Sequence, residues 1–166
     1  MEAIYKRRSI RRYQDKPITR EHIEKILKAG MNAPSAGNEQ PWHFVVMTER
    51  AKLDAVVSIH HYAAMAAHAP LAIMVCGDLT LEKYNGFWVQ DCSAAMQNLL
   101  LAVHAKGLGA VWCGVYPVAG RITGFRALLN LPEHIIPLGL AVIGRTTVTP
   151  VSKKRFRPER VHNNVW

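Results

Sequence analysis

The apolar positions of this chain follow two periods, and the switches between them outline a fold. Ile23, Ile26, Leu27 and Gly30 recur at helical spacing, with Glu21, Glu24, Lys25 and Lys28 on the other side and an N-cap oxygen offered by Thr19. The spacing predicts an amphipathic helix over 20–31. Trp88, Asp91, Cys92, Ala95, Met96, Leu99, Leu100 and Val103 form the longest stripe, and 87–106 is apolar on nearly every side. This stretch is expected to be a central helix, ended by Gly107. Shorter helices are expected over 2–8, over 49–58 with Thr48 as cap, over 60–68 and over 122–129. The β-branched and aromatic run 43–47 reads as a strand. So do 110–115, 138–143 and the continuously apolar 71–76, a pattern that suits a strand covered on both faces. The sum is an α+β domain with a central sheet of about four strands and helices around it.

Length fits one domain over 1–166, with no repeat, linker or low-complexity tract. The segment 145–166 has no period and contains Pro150 and Pro158. A tail of that length without structure of its own is uncommon in a compact domain. A partner subunit is the expected place for it. Cys76, Cys92 and Cys113 are odd in number, widely spaced and set in apolar runs, as small buried hydrophobes of a reducing compartment would be. The N-terminus lacks an apolar signal core, and no run reaches the 18 or so apolar residues of a membrane span. A soluble, cytoplasmic protein with no membrane partner is expected.

The formal charge is +9, from 21 basic and 12 acidic residues. Nine of the 21 lie in two short segments at opposite ends, Lys6-Arg7-Arg8-Ser9-Ile10-Arg11-Arg12 and Lys153-Lys154-Arg155-Phe156-Arg157. Arginine presents a planar fork to phosphate oxygens, and the Ser9 hydroxyl adds a donor. Arg7 and Arg11 at i and i+4 would share one face of a helix or turn. A ligand carrying phosphate, gripped by both chain ends, follows from this distribution; a solvated charged helix end is the plainer account. A nucleic-acid module would need exposed aromatics among the cations, and Tyr5, Tyr13 and Phe156 are the only candidates, so nucleic acid is not the expected partner.

Ser35-Ala36-Gly37-Asn38-Glu39-Gln40-Pro41-Trp42 packs hydroxyl, amide and glycine groups into one loop. It reads either as a simple helix-to-strand turn or as a polar rim for a heteroaromatic ring. Gly107-Leu108-Gly109 follows a helix and leads into a strand, the wrong order for a dinucleotide fingerprint. His60, His61 and His68 have no carboxylate nearby to complete a metal site, so no metal is expected. No GxSxG elbow, Cys–His couple or pair of catalytic carboxylates is visible. Either the chain is not an enzyme, or a bound cofactor performs the chemistry.

Four segments in order resemble the FMN-dependent nitroreductase family: the Arg-Arg-Ser-Ile-Arg start, residues 33–44, residues 91–102 with Lys106-Gly107-Leu108-Gly109, and Lys153 to Arg157 before Pro158-Glu159-Arg160-Val161-His162. The resemblance covers the whole chain. It implies a three-layer α/β/α sandwich with a mainly antiparallel sheet, in an interlocked homodimer with FMN in two interface pockets. It places Arg7, Arg8, Ser9 and Arg11 at the phosphate and ribityl chain, with Lys153 and Arg155 approaching the same phosphate. Pro34, Ser35, Ala36 and Asn38 would reach the flavin from the other subunit. Gly114 and Val115 would lie beside it, a backbone N–H facing N5. No side chain is implied as catalytic, because the flavin performs the chemistry. Hydride would pass from NAD(P)H through FMN to a small electron-poor acceptor, such as a nitroaromatic, a quinone or a flavin, in a ping-pong cycle. Other tasks on the same fold (dehalogenation, flavin breakdown, FMN binding without turnover) are alternatives. Larger members insert a helical segment between the counterparts of the last two strands, which often covers the substrate pocket; about 22 residues here imply a more open pocket. Larger members also place an Asn and a Lys near the positions of Tyr62 and Met65, at the flavin's pyrimidine edge. Neither is present here, which leaves that contact unassigned.

Overall fold

The computed structural model describes residues 1–149, 151 and 154–166. Its strands are β1 (Trp42–Met47), β2 (Leu71–Asp78), β3 (Leu108–Gly114) and β4 (Ile135–Arg145). They form one sheet in the order β1-β2-β4-β3, each neighbouring pair antiparallel. All eight residues of β2 are buried, as its unbroken apolar run requires of an inner strand.

Alternation along the strands sorts the core into two halves. Leu71, Ile73 and Val75 of β2 join Ala141 and Ile143 of β4 beneath α2 (Arg20–Met31) and α4 (Trp88–Ala105), where Ile26, Ala95, Met96 and Leu99 meet them. Ala72, Met74 and Cys76 join Leu140 and Val142 on the opposite face. That face is covered by Leu53 and Val56 of α3 (Arg50–Ile59), Ala63 and Ala66 of the 3-10 segment His61–His68, and Phe125 of α5 (Ala119–Leu129). The architecture is the expected α+β fold, helices on both faces of an antiparallel sheet.

Several elements depart from the spacing. Thr19 does cap α2, its Oγ1 accepting from His22 N at 3.3 Å. Thr48 does not cap α3: β1 runs to Met47, and Glu49 takes the N-cap position without a side-chain bond. The stretch 60–68 is 3-10 rather than α, interrupted at Ala63, so that Ala63 and Ala66 can sit close against the sheet. Segment 2–8 is helical only over α1 (Glu2–Lys6); Arg7 is already extended at φ −55°, ψ 132°. From there the chain crosses β3 and β4, with Ile10 N donating to Ala110 O at 2.9 Å and Gln14 N to Arg145 O at 2.8 Å.

This crossing overturns the helical pairing of Arg7 with Arg11. Its cause is packing. Ile10 is buried over Gly109, where an added Cβ would lie 2.7 Å from the isoleucine. Tyr13 covers Gly144 in the same way, and its hydroxyl lies 2.6 Å from Ile10 O and 2.9 Å from Val142 O. Burying two large side chains contributes more than one further turn of an exposed basic helix. Burial also pushes the Tyr13 phenol well above its usual range.

Gly77 shows how closely the α4 layer sits. A Cβ there would lie 2.4 Å from the ring of Trp88, a rigid side chain with no flexible end to yield. Gly77→Ala is therefore expected to cost about 1–3 kcal/mol by overpacking, read as a lower urea midpoint at unchanged slope.

Candidate active site

β3 is an edge strand, and its outer edge is paired over part of its length. Val115 N donates to Leu138 O at 3.1 Å. Antiparallel alternation then turns the backbone groups of Ala110, Trp112 and Gly114 away from β4. The Ala110 carbonyl is taken by Ile10 N. The Gly114 carbonyl accepts from His60 Nε2 and from Arg121 Nη1, each at 2.9 Å. The Gly114 N–H remains directed outward. Gly114 is exposed, and a Cβ there would meet nothing within 4 Å. A flat ligand can lie against this backbone, with the N–H as donor.

His60 is buried and neutral in this arrangement. Burial lowers its pKa, the Arg121 charge adds to the effect, and the bond to a carbonyl puts the proton on Nε2.

Cations gather at this edge. The Arg121 guanidinium lies over the Tyr62 ring, 5.9 Å from its centroid. Burial raises the Cys113 thiol, and the charges of Arg11 and Arg121 oppose this. Arg7 is lowered by burial first and then by the charges of Arg8 and Arg155. Arg155 belongs to the tail, so a charge from each end of the chain bears on Arg7. Among the described residues, no ion pair includes Arg7, Arg11, Arg121 or Arg155. Arg8 Nη1 donates to the carbonyls of Tyr5 at 2.8 Å and Arg7 at 2.6 Å, closing the end of α1. Ser9 is exposed and bridges to Ala110 in parallel sense. Lys153 lies outside the described residues. Val115 is buried with its N–H used by Leu138, which leaves Gly114 as the outward donor.

The Pro34–Asn38 loop is elsewhere. It feeds β1, and β1 and β3 are the two outer strands of the sheet, three strand spacings or about 14 Å apart. A tight turn at Ala36–Asn38 holds Gly37 at φ 51° and Asn38 at φ 54°, a region glycine and asparagine tolerate. Ser35 Oγ accepts from Gln40 N at 3.0 Å. Pro34, Ser35 and Ala36 line a shallow pocket of about 340 Å³ together with Phe87, Gln90, Asp91 and Ala94. Within one chain, the loop and the cationic edge are not brought together.

Beneath this loop lies a carboxyl pair that the sequence reading missed. Glu39 is 7% exposed and Asp91 5%. Asp91 Oδ1 accepts from Ala36 N at 3.1 Å, and Glu39 Oε2 accepts from Lys83 N at 2.7 Å and Tyr84 N at 3.3 Å. Burial first, and then the neighbouring Glu39 carboxyl, raise the Asp91 pKa. Asp91 Oδ2 and Glu39 Oε1 are buried with no hydrogen-bond partner among the described residues. The available signal was an acid inside the apolar stripe of α4. Its partner, 52 positions earlier, left no mark in the pattern. His60 and Arg121 were also not anticipated as neighbours of Gly114; nothing in local spacing points to either.

The open strand edge, the cations beside it and the polar loop before β1 match a known family. Residues 4–62 and 56–145 match the model of the nitroreductase family. The chain belongs to the nitroreductase family. A protein of Methanothermobacter thermautotrophicus, provisionally named NADH dehydrogenase/NAD(P)H nitroreductase, is 51% identical over 166 residues, covering 100% of this chain and 87% of that protein. A similarly named protein of Parabacteroides distasonis has a crystal structure that superposes with a TM-score of 0.95 at 41% identity, covering 99% of this chain and 97% of that one. A nitroreductase from Desulfovibrio desulfuricans, solved in complex with FMN, superposes with a TM-score of 0.85 at 31% identity, covering 99% and 96% of the two chains. No helix among the described residues is long and apolar enough to cross a membrane.

The raised Asp91 pKa has a definite sign in stability. A carboxyl that holds its proton more tightly when folded favours the native state at low pH, and this contribution is lost as pH rises through its ordinary value towards its raised one. Asp91→Asn keeps an acceptor for Ala36 N and can donate to Glu39 without titrating. Its stability relative to the unsubstituted protein should rise from pH 4 to pH 8, measured by urea unfolding at each pH.

Proposed function

We propose that this chain is an FMN-dependent NAD(P)H oxidoreductase, working as a homodimer and passing reducing equivalents to a small electron-poor acceptor. One observation carries the reading: the crossing segment lays the Arg7–Arg12 run against the outer edge of β3, the same edge on which Gly114 is exposed and free of a side chain, and no ion pair among the described residues includes Arg7 or Arg11. Unneutralised like charges held this close fit a phosphate, and the side-chain-free backbone at Gly114 fits a planar ring. The family relationship supports the same group.

Arg7, Ser9 and Arg11 hold the phosphate and ribityl chain, with Arg8 bracing the segment and Arg155 and Lys153 supplying charge from the tail. The Gly114 N–H donates to the ring, and Val115 secures that strand end from within. Bound FMN supplies the two-electron redox chemistry. The chain contributes orientation, donors and positive charge, and no side chain need act as an essential acid or base.

A second copy completes the site. Pro34, Ser35, Ala36 and Asn38 lie on the far edge of the sheet from Gly114, so a second copy supplies them. The tail supports this: Val151, Phe156 and Val165 are 78%, 78% and 77% exposed, and Trp166 is 100% exposed. Apolar residues so placed along an extended segment mark a surface that another chain covers. The connection between β3 and β4 is occupied by α5 and short turns, with no added lid. An uncovered pocket suits a ping-pong cycle in which nicotinamide leaves before a nitroaromatic, quinone or flavin takes its place.

Three outcomes are expected. Purified protein binds FMN, turns yellow, is bleached anaerobically by NADH or NADPH, and recovers its colour with an organic acceptor; protein that takes up no FMN removes the reading. Arg7→Ala weakens FMN binding by about 1.5–3 kcal/mol in a fluorescence titration. Truncation after Thr149 abolishes both dimer and bound FMN, read by sedimentation and absorbance.

A further inference from the structure

Arg121 lies in the first turn of α5, half-buried, with no acidic partner among the described residues. One of its five N–H donors goes to the Gly114 carbonyl. That carbonyl does not depend on it, because the neutral, buried His60 donates to the same oxygen. The guanidinium is held over the Tyr62 ring, which restricts its rotamers. Its charge and that of Arg11 both bear on Cys113, next to the outward N–H of Gly114. Arg121 thus sits at the open strand edge beside Gly114, and no ion pair among the described residues includes it or Arg11.

We propose that Arg121 is the cation that stabilises the negative charge of the reduced FMN ring, on the ring side opposite the phosphate-binding arginines. The inference rests on the FMN reading above and adds a residue to it. Two-electron reduction with uptake of one proton leaves negative charge on the N1–C2 carbonyl region of a flavin. A fixed guanidinium beside that region stabilises the reduced form over the oxidised one and so raises the midpoint potential. Arginine suits this role because it stays charged at any working pH and keeps several donors after one is spent on Gly114. The position also accounts for a site that has no Lys or Asn at Tyr62 or Met65.

The test is spectroelectrochemical titration of FMN-loaded dimer for the unsubstituted protein, Arg121→Gln and Arg121→Lys, with FMN affinity measured in both redox states. Arg121→Gln should weaken binding of reduced FMN at least about tenfold relative to oxidised FMN, a fall in potential of about 30 mV for a two-electron couple. Arg121→Lys should restore most of that difference. An unchanged potential in Arg121→Gln overturns the proposal while leaving the FMN reading intact. Equal falls in both variants overturn it too, because they would make Arg121 a brace for the Gly114 backbone and not a source of charge. Should Arg121→Gln fail to hold FMN, the lysine variant decides: a potential like that of the unsubstituted protein supports the role, and a tenfold loss removes it. An unsubstituted protein that takes no FMN would overturn both readings at once.

Discussion

The outer edge of β3 is the constraint on which the rest depends. An edge strand presents unpaired N–H and C=O groups that must be satisfied or covered. This chain satisfies the first part with the crossing segment at Ser9–Ile10 and the Gly114 carbonyl with His60 and Arg121. Among the groups left outward is the Gly114 N–H, with the Arg121 guanidinium beside it. The crossing segment does two jobs. Ile10 and Tyr13 pin it to Gly109 and Gly144, and the same pinning carries Arg7 and Arg11 to the edge. Packing of two apolar side chains thus sets where the charges stand.

The electrostatics of the molecule are polarised between the two outer strands. Arginines gather by β3, whereas the buried acids Glu39 and Asp91 lie beneath the loop that leads to β1. Neither group neutralises the other across about 14 Å of sheet. The proposed anionic ligand would match the cationic side. The acidic side is matched internally, by three backbone N–H groups. The Asp91 carboxyl ties the Pro34–Asn38 loop to α4 through Ala36 N. That loop on one copy and a charged edge on another are the two halves of the proposed dimeric site.

Fixed charge and fixed backbone donors work on a redox ring without moving a proton themselves. In the proposed function the chain sets the field and a bound group reacts.

Much of this was legible in one dimension. Periodicity located α2 and α4 closely, because each has an uninterrupted apolar stripe and a clear stop at Gly107 or a clear cap at Thr19. The continuous apolar run of β2 indicated an inner strand covered on both faces. Clustering of arginine at both ends pointed to an anion, since charge density needs no fold to be counted. Other features were not legible. Arg7 and Arg11 share no helical face, because contacts of Ile10 and Tyr13 with distant glycines outweigh local helix geometry. His60, Arg121 and the Glu39–Asp91 pair come from segments dozens of residues apart, and no periodicity records such meetings. Local pattern decided which segments are helix and which are strand, because each is governed by neighbours a few positions away. Only the folded sheet decided which charges face one another, because strand order β1-β2-β4-β3 sends one set of polar groups to each edge.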